Sequence, residues 1–168
     1  MSKPVFSEVQ KFRQWWIWII IVGLVVVNAW ALYQQIVMGE PWGNNPASNE
    51  ALWMSSALIW GIVMLIFHTK LETRINERGI TVHFFPFHFS KHTYKWETIE
   101  KVYVSKYRPL LEFGGWGVRI APGRKKAFTV SGNMGLHILL KDGRTRIIGT
   151  KRAEAIAFIL KEREEGRL

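Results

Sequence analysis

The chain has 168 residues, 48% of them hydrophobic and 14% aromatic, with 23 Lys and Arg against 13 Asp and Glu for a formal charge of +10. That apolar content, with only 21% charged residues, excludes an intrinsically disordered chain. The absence of cysteine excludes a disulfide framework, a thiolate zinc site and a cysteine nucleophile.

Residues 1–14 carry Lys3, Lys11 and Arg13 and read as a short N-terminal segment. Residues 15–38 then run for 24 positions without a charge. At ~1.5 Å per residue that is roughly 36 Å of helix, enough to cross a ~30 Å hydrocarbon core with some tilt. Residues 39–50 contain Pro41, Pro46, two glycines and three asparagines, and read as a loop. Residues 51–67 give 17 further uncharged positions, and the second span is placed at 51–68. Ser55 and Ser56 soften it but can bond back to helix carbonyls, and Asn28 in the first span reads as helix–helix glue. Residues 15–27 have no polar face, which a soluble surface helix would show. A second reading of the start is a signal peptide: a basic n-region, an apolar h-region and Ala29-Trp30-Ala31 as a small-x-small cleavage pattern. Against it, the apolar run continues through Ile36, Val37 and Met38.

Orientation follows from charge. The 39–50 loop holds no Lys or Arg, whereas Lys70, Arg74 and Arg78 lie just past the second span. The positive-inside rule places both termini in the cytoplasm, in a multi-pass protein of the plasma membrane. Residues 69–168 then form a cytoplasmic domain with 20 Lys and Arg against ten Asp and Glu, which is the whole net charge.

In that domain the period changes to two. Ile80, Val82 and Phe84 alternate with Thr81, His83 and Phe85, and Pro86 interrupts the strand, so that residues 87–89 become an edge or a bent continuation. Val102 and Val104, Val118 and Ile120, and Phe128 and Val130 mark further strands. Residues 136–148 read as a hairpin about a two-residue Asp142-Gly143 turn, with Lys141 opposite Arg144 and Ile138 opposite Ile147. Thr150 is the expected cap of a terminal helix ending at Gly166, with Ala153, Ile156, Ile159 and Leu160 on its buried stripe and Phe158 on the other side. Strands followed by one covering helix make an α+β domain with an antiparallel sheet.

The residues Thr69-Lys70-Leu71-Glu72-Thr73-Arg74-Ile75, Arg78-Gly79-Ile80-Thr81-Val82 and Trp96-Glu97-Thr98-Ile99-Glu100-Lys101-Val102, after two spans, resemble the bacterial pleckstrin-homology-like (PH-like) membrane proteins. Tyr107-Arg108-Pro109, Gly114-Gly115-Trp116-Gly117-Val118-Arg119 and Ile148-Gly149-Thr150 resemble an uncharacterised two-span subgroup. The resemblance implies a transmembrane helical hairpin followed by a bent antiparallel sheet of about seven strands, closed at one end by the C-terminal helix. It implies a binding or scaffold module and supplies no catalytic residue.

The residues themselves offer little chemistry. His88 and His92 would form a metal pair only on a helix; on a strand they lie about 13 Å apart, and no metal or other cofactor is expected. The two glycine-rich segments lead into strands rather than helices, so they read as tight loops rather than phosphate cradles. No serine sits in a Gly-x-Ser-x-Gly frame and no carboxylates pair, so no enzyme is expected. Arg124, Lys125 and Lys126, after Pro122-Gly123, form the densest basic run and are the candidate contacts to anionic lipid headgroups, at ~1 kcal/mol each near a charged leaflet. Arg108, Arg119, Lys141, Arg144 and Arg146 add to that field, which needs no nucleic acid to explain it. Trp116, Arg119 and Phe158 are candidate contacts to a protein partner or a second copy. The function expected is a membrane-anchored, non-catalytic interaction or scaffolding module; the alternatives are an anionic-lipid sensor and an accessory subunit of a membrane enzyme or transporter.

Overall fold

The computed structural model describes residues 5–87 and 90–166. The chain divides into two compact units: residues 13–68 form one, and residues 1–12 together with 69–168 form the other.

The first unit is a helical hairpin. Helix α1 (Trp15–Leu32) continues as a π-helical turn over Tyr33–Val37, and α2 spans Asn49–His68. Ser48 starts α2 by accepting the Ala51 N–H on its hydroxyl at 3.2 Å. Both helices are long and apolar enough to cross a membrane, and only 11% of each apolar window is buried, the converse of a core helix. The polar groups turn inward. The Asn28 side-chain amide donates to Ser55 Oγ at 3.2 Å, and Ser56 Oγ donates to Asn28 Oδ1 at 2.8 Å. Ser55 and Ser56 also donate to the Leu52 carbonyl. The helix-to-helix role expected of Asn28 is the one observed.

The second unit is α+β, with nine strands among the described residues, in two sheets rather than one bent sheet of about seven. The first sheet has the order β1 (Phe6–Lys11), β2 (Lys70–Asn76), β3 (Gly79–Phe85), β4 (His92–Lys95), all antiparallel. The second contains β5 (Ile99–Lys106), β6 (Gly117–Ala121), β7 (Lys125–Thr129), β8 (Met134–Leu140) and β9 (Thr145–Gly149), in the order β5-β8-β9-β7-β6. Its β7–β9 pair is parallel, a departure from the all-antiparallel expectation. A one-turn helix, α3 (Pro109–Phe113), joins β5 to β6, and α4 (Ala153–Glu164) closes the chain.

The largest revision concerns the N-terminal segment. Residues 6–11 are no tail; they pair with β2 residue for residue, from Phe6 opposite Ile75 to Lys11 opposite Lys70. The folded unit is therefore larger than residues 69–168. Strand β1 buries Phe6, Glu8 and Gln10. The Glu8 carboxylate accepts from the Thr150 hydroxyl at 2.6 Å and from the Lys151 N–H at 2.9 Å, and the Gln10 amide donates to the Gly149 carbonyl at 2.6 Å. Thr150 does not cap α4 as expected: it lies outside the first turn, where its hydroxyl also accepts the Arg152 N–H at 3.0 Å.

One core joins the sheets. Leu71, Ile80 and Phe84 from the first meet Phe128, Leu136 and Ile148 from the second, and Ile156 and Leu160 of α4 pack against them. Phe158 points away, 63% exposed. Gly79 has no room for a side chain, because a Cβ there would overlap the Tyr94 carbonyl oxygen on the neighbouring strand.

The β8–β9 hairpin is shifted by one residue from the expected register. Ile138 faces Arg146, and His137 faces Ile147. The cause is local. Only Gly143 in the turn has positive φ, at 79°, so the two-residue turn needing positive φ at both positions does not form. Leu140 instead accepts the Gly143 N–H and donates to the Arg144 carbonyl, leaving a three-residue loop. Asp142 holds that loop by accepting the Arg144 N–H at 3.0 Å. Of residues 87–89, only Phe87 is described, in a turn; His88 and Phe89 lie outside the described residues.

Candidate functional site

The shifted register decides which basic residues meet. Alternation along β7 turns Lys126 and Phe128 to the main core face, and Ala127 and Thr129 to the opposite one. The parallel partner β9 sets Arg146 beside Lys126 and Ile148 beside Phe128. The same inward face thus runs from apolar residues to two adjacent cations at the end of the sheet, and Arg144 follows two residues from Arg146. Across the gap, β4 of the other sheet contributes His92 and Tyr94. Together they line a cleft of about 310 Å³ at the end of the sandwich.

Its electrostatics are one-sided. Lys126 Nζ lies 5.1 Å from the Phe128 ring centroid, and burial, reinforced by the Arg146 charge, pulls the Lys126 pKa below its ordinary value. Burial raises the Tyr94 hydroxyl, opposed by the charge and hydrogen bond of Arg146. Among the described residues, Asp142 is the single carboxylate lining the cleft. It is held below the usual carboxylate range by hydrogen bonds from Arg144, whose Nε donates at 2.7 Å. Arg146 is positioned by its Nη1, which donates to the Arg124 carbonyl at 3.1 Å and the Thr145 carbonyl at 2.9 Å. These groups offer positive charge and hydrogen-bond donors at a partly desolvated site.

The basic run singled out in the sequence is divided by the fold. Lys126 enters the cleft. Lys125 belongs to the opposite face, where its charge acts on His137. Arg124 occupies the turn with φ of 59° and donates to the Asp142 carbonyl at 3.3 Å. Arg144 and Arg146, expected only to add to a diffuse field, are instead in the site, and Tyr94 was not foreseen. The signal was present in Arg144-Thr145-Arg146-Ile147-Ile148, whose alternation aligns both arginines with Ile148, but the two-residue turn hid it.

Trp116 and Arg119 do lie together: Arg119 Nε donates to the Trp116 carbonyl at 3.1 Å. Trp116 is half-buried, and its indole donates to the Gly132 carbonyl at 3.0 Å. It therefore ties the two glycine-rich loops to each other. Phe158 is not part of that group; α4 packs on β5 and β8, whereas β6 forms the far edge of the sheet. Exposed apolar residues that the sequence reading missed include Leu110 and Leu111 on α3 and Ile120 on β6, 64%, 79% and 81% exposed. Among the described residues no group of three or more His, Cys, Asp or Glu could hold a metal ion. No protein-family model matches the chain, and no curated protein matches it significantly.

Proposed function

We propose that this chain is an integral membrane protein in which α1 and α2 form a transmembrane hairpin and the α+β unit is a PH-like, non-catalytic interaction module on the cytoplasmic face. One pairing carries the reading. Strand β1 precedes the first helix, β2 follows the second, and Lys11 lies opposite Lys70. A chain that enters and leaves a hairpin through neighbouring strands of one sheet starts and finishes on the same side of a membrane. Lys11, Arg13, Lys70, Arg74 and Arg78 flank the hairpin there, against no Lys or Arg in the 39–50 loop, and this bias favours the cytoplasm. The same pairing argues against signal cleavage after Ala31, which would separate β1 from the domain it completes. The largely antiparallel strands closed by the C-terminal α4 support the PH-like reading, and the exposed Leu110, Leu111 and Ile120 support an interaction surface.

Because the chain has no cysteine, single substitutions give unique labels. In intact cells, Asn45→Cys is expected to react with a membrane-impermeant thiol reagent and Lys141→Cys only after permeabilisation; the reverse pattern overturns the orientation. A photo-crosslinking side chain at Leu111 or Ile120 is expected to give discrete protein adducts in native membranes. Absence of adducts at both contradicts the interaction reading.

A further inference from the structure

We propose that the cleft between β4 and the β7–β9 pair binds a phosphate group, with Lys126 and Arg146 as its principal ligands. Like charges directly side by side on a sheet are destabilising, and here they are nearest neighbours in the register and only partly exposed. Solubility alone would place them on a solvated face. Instead they continue the face of Phe128 and Ile148, two core residues. A bound anion removes the repulsion and takes up the charge that burial disfavours.

The chemistry of the lining points to phosphate among anions. Lys126, Arg144 and Arg146 oppose the single carboxylate of Asp142, a net of two positive charges that matches a phosphomonoester dianion. Guanidinium forks fit tetrahedral oxyanions with paired N–H donors, and Tyr94 lines the same space as Arg146. At about 310 Å³ the cleft takes a phosphate and a small attached group, near the lower end of the ~300–1,000 Å³ range of small-molecule sites. The phosphate can belong to a soluble phosphomonoester or to a lipid headgroup. The inference is independent of membrane topology.

The test uses the full chain in phosphatidylcholine nanodiscs, titrated with inorganic phosphate and with glycerol 3-phosphate and followed by calorimetry and thermal shift. A parallel set of nanodiscs contains phosphatidic acid. Saturable binding of the soluble ions identifies a soluble ligand. A thermal shift confined to the phosphatidic acid discs, and removed by Lys126→Gln, identifies a headgroup. Lys126→Gln and Arg146→Gln are each expected to weaken binding about tenfold or more, and Lys126→Arg to retain it. Lys125→Gln removes the same charge one residue away on the opposite face and is expected to leave affinity within about twofold. Equal losses from Lys125→Gln and Lys126→Gln would reduce the cleft to diffuse surface charge. No response in either set of discs would leave the paired cations without a ligand and overturn the proposal.

Discussion

The two units of this protein solve one physical problem in opposite ways. In the helical hairpin the apolar side chains face outward and the polar ones, Asn28, Ser55 and Ser56, bond to each other between the helices. In the α+β unit Leu71, Phe84, Phe128 and Ile148 are fully buried and most charges lie outside. A polar group is enclosed where its surroundings cannot satisfy it, and an apolar group is enclosed where its surroundings are water. Strand β1 is the instructive exception. It belongs to the water-facing unit but buries Glu8 and Gln10 while leaving Val5 and Val9 44% and 54% exposed. Hydrogen bonds of Glu8 and Gln10 with residues 149–151, together with Phe6 in the core, set its face.

The strongest way to break the comparison is to remove that strand. Deletion of residues 1–11 takes away Phe6 from the core, uncovers the edge of β2 and leaves the Thr150 hydroxyl and Lys151 N–H without the carboxylate. The cooperative melting of the α+β unit is expected to disappear while circular dichroism retains the helical signal of the hairpin. A smaller change isolates the polar latch. Glu8→Ala leaves two donors unsatisfied and is expected to cost about 3 kcal/mol by chemical denaturation. Thr150→Val added to Glu8→Ala is expected to cost less than the sum of the two single changes, since both touch the same bond.

The hairpin has its own counterpart. Asn28→Leu removes both interhelical hydrogen bonds and is expected to weaken helix association by about 1 kcal/mol, read by detergent titration of the reconstituted chain, with no shift in the melting of the α+β unit. An equal loss in both units would mean that they do not divide as described.

The smallest effect is a pH dependence confined to the α+β unit. His137 is buried and stacked at 9° on the Tyr103 ring, with centroids 5.1 Å apart. Burial lowers its pKa from 6.5, although Glu112 and a backbone hydrogen bond with Ser105 oppose the shift. As pH falls through 6.5 the unfolded chain takes up the proton first, so stability declines below that point and levels off once the folded state is protonated too. The decline cannot exceed ~1.4 kcal/mol per pH unit for one proton. His137→Gln is expected to flatten the melting temperature between pH 7 and 5, whereas an unchanged slope would assign the dependence to other groups.

What the sequence discloses depends on how local its causes are. The helices are legible because long uncharged runs need no knowledge of their partners. The alternation of Ile80, Val82 and Phe84 is legible for the same reason: its inward residues are the apolar ones. Strand β1 is not, because the groups that satisfy Glu8 lie 142 and 143 residues away. Alternation there sets Val5 and Val9 on one face against Phe6 on the other and does not choose between them. The hairpin register was missed by one residue because Asp-Gly suits two turns, and the Asp142 carboxylate selects the longer by accepting the Arg144 N–H. That single residue turns Arg144 and Arg146 toward the core face. The basic run Arg124-Lys125-Lys126 is visible in sequence as one patch, but strand alternation separates its members, and only Lys126 reaches the candidate site.

The account depends most on β1 and β2 closing a hairpin that has crossed a membrane twice, and a double substitution tests both halves of that claim together. Lys11→Cys and Lys70→Cys place two thiols on residues paired in the sheet, in a chain with no other cysteine. A protease site inserted at residues 43–46 is then cut from outside intact cells. The expected result is cleavage without permeabilisation, with the two fragments held together under oxidising conditions and released by reductant. Fragments that separate without reductant, or cleavage that requires permeabilised cells, would contradict it.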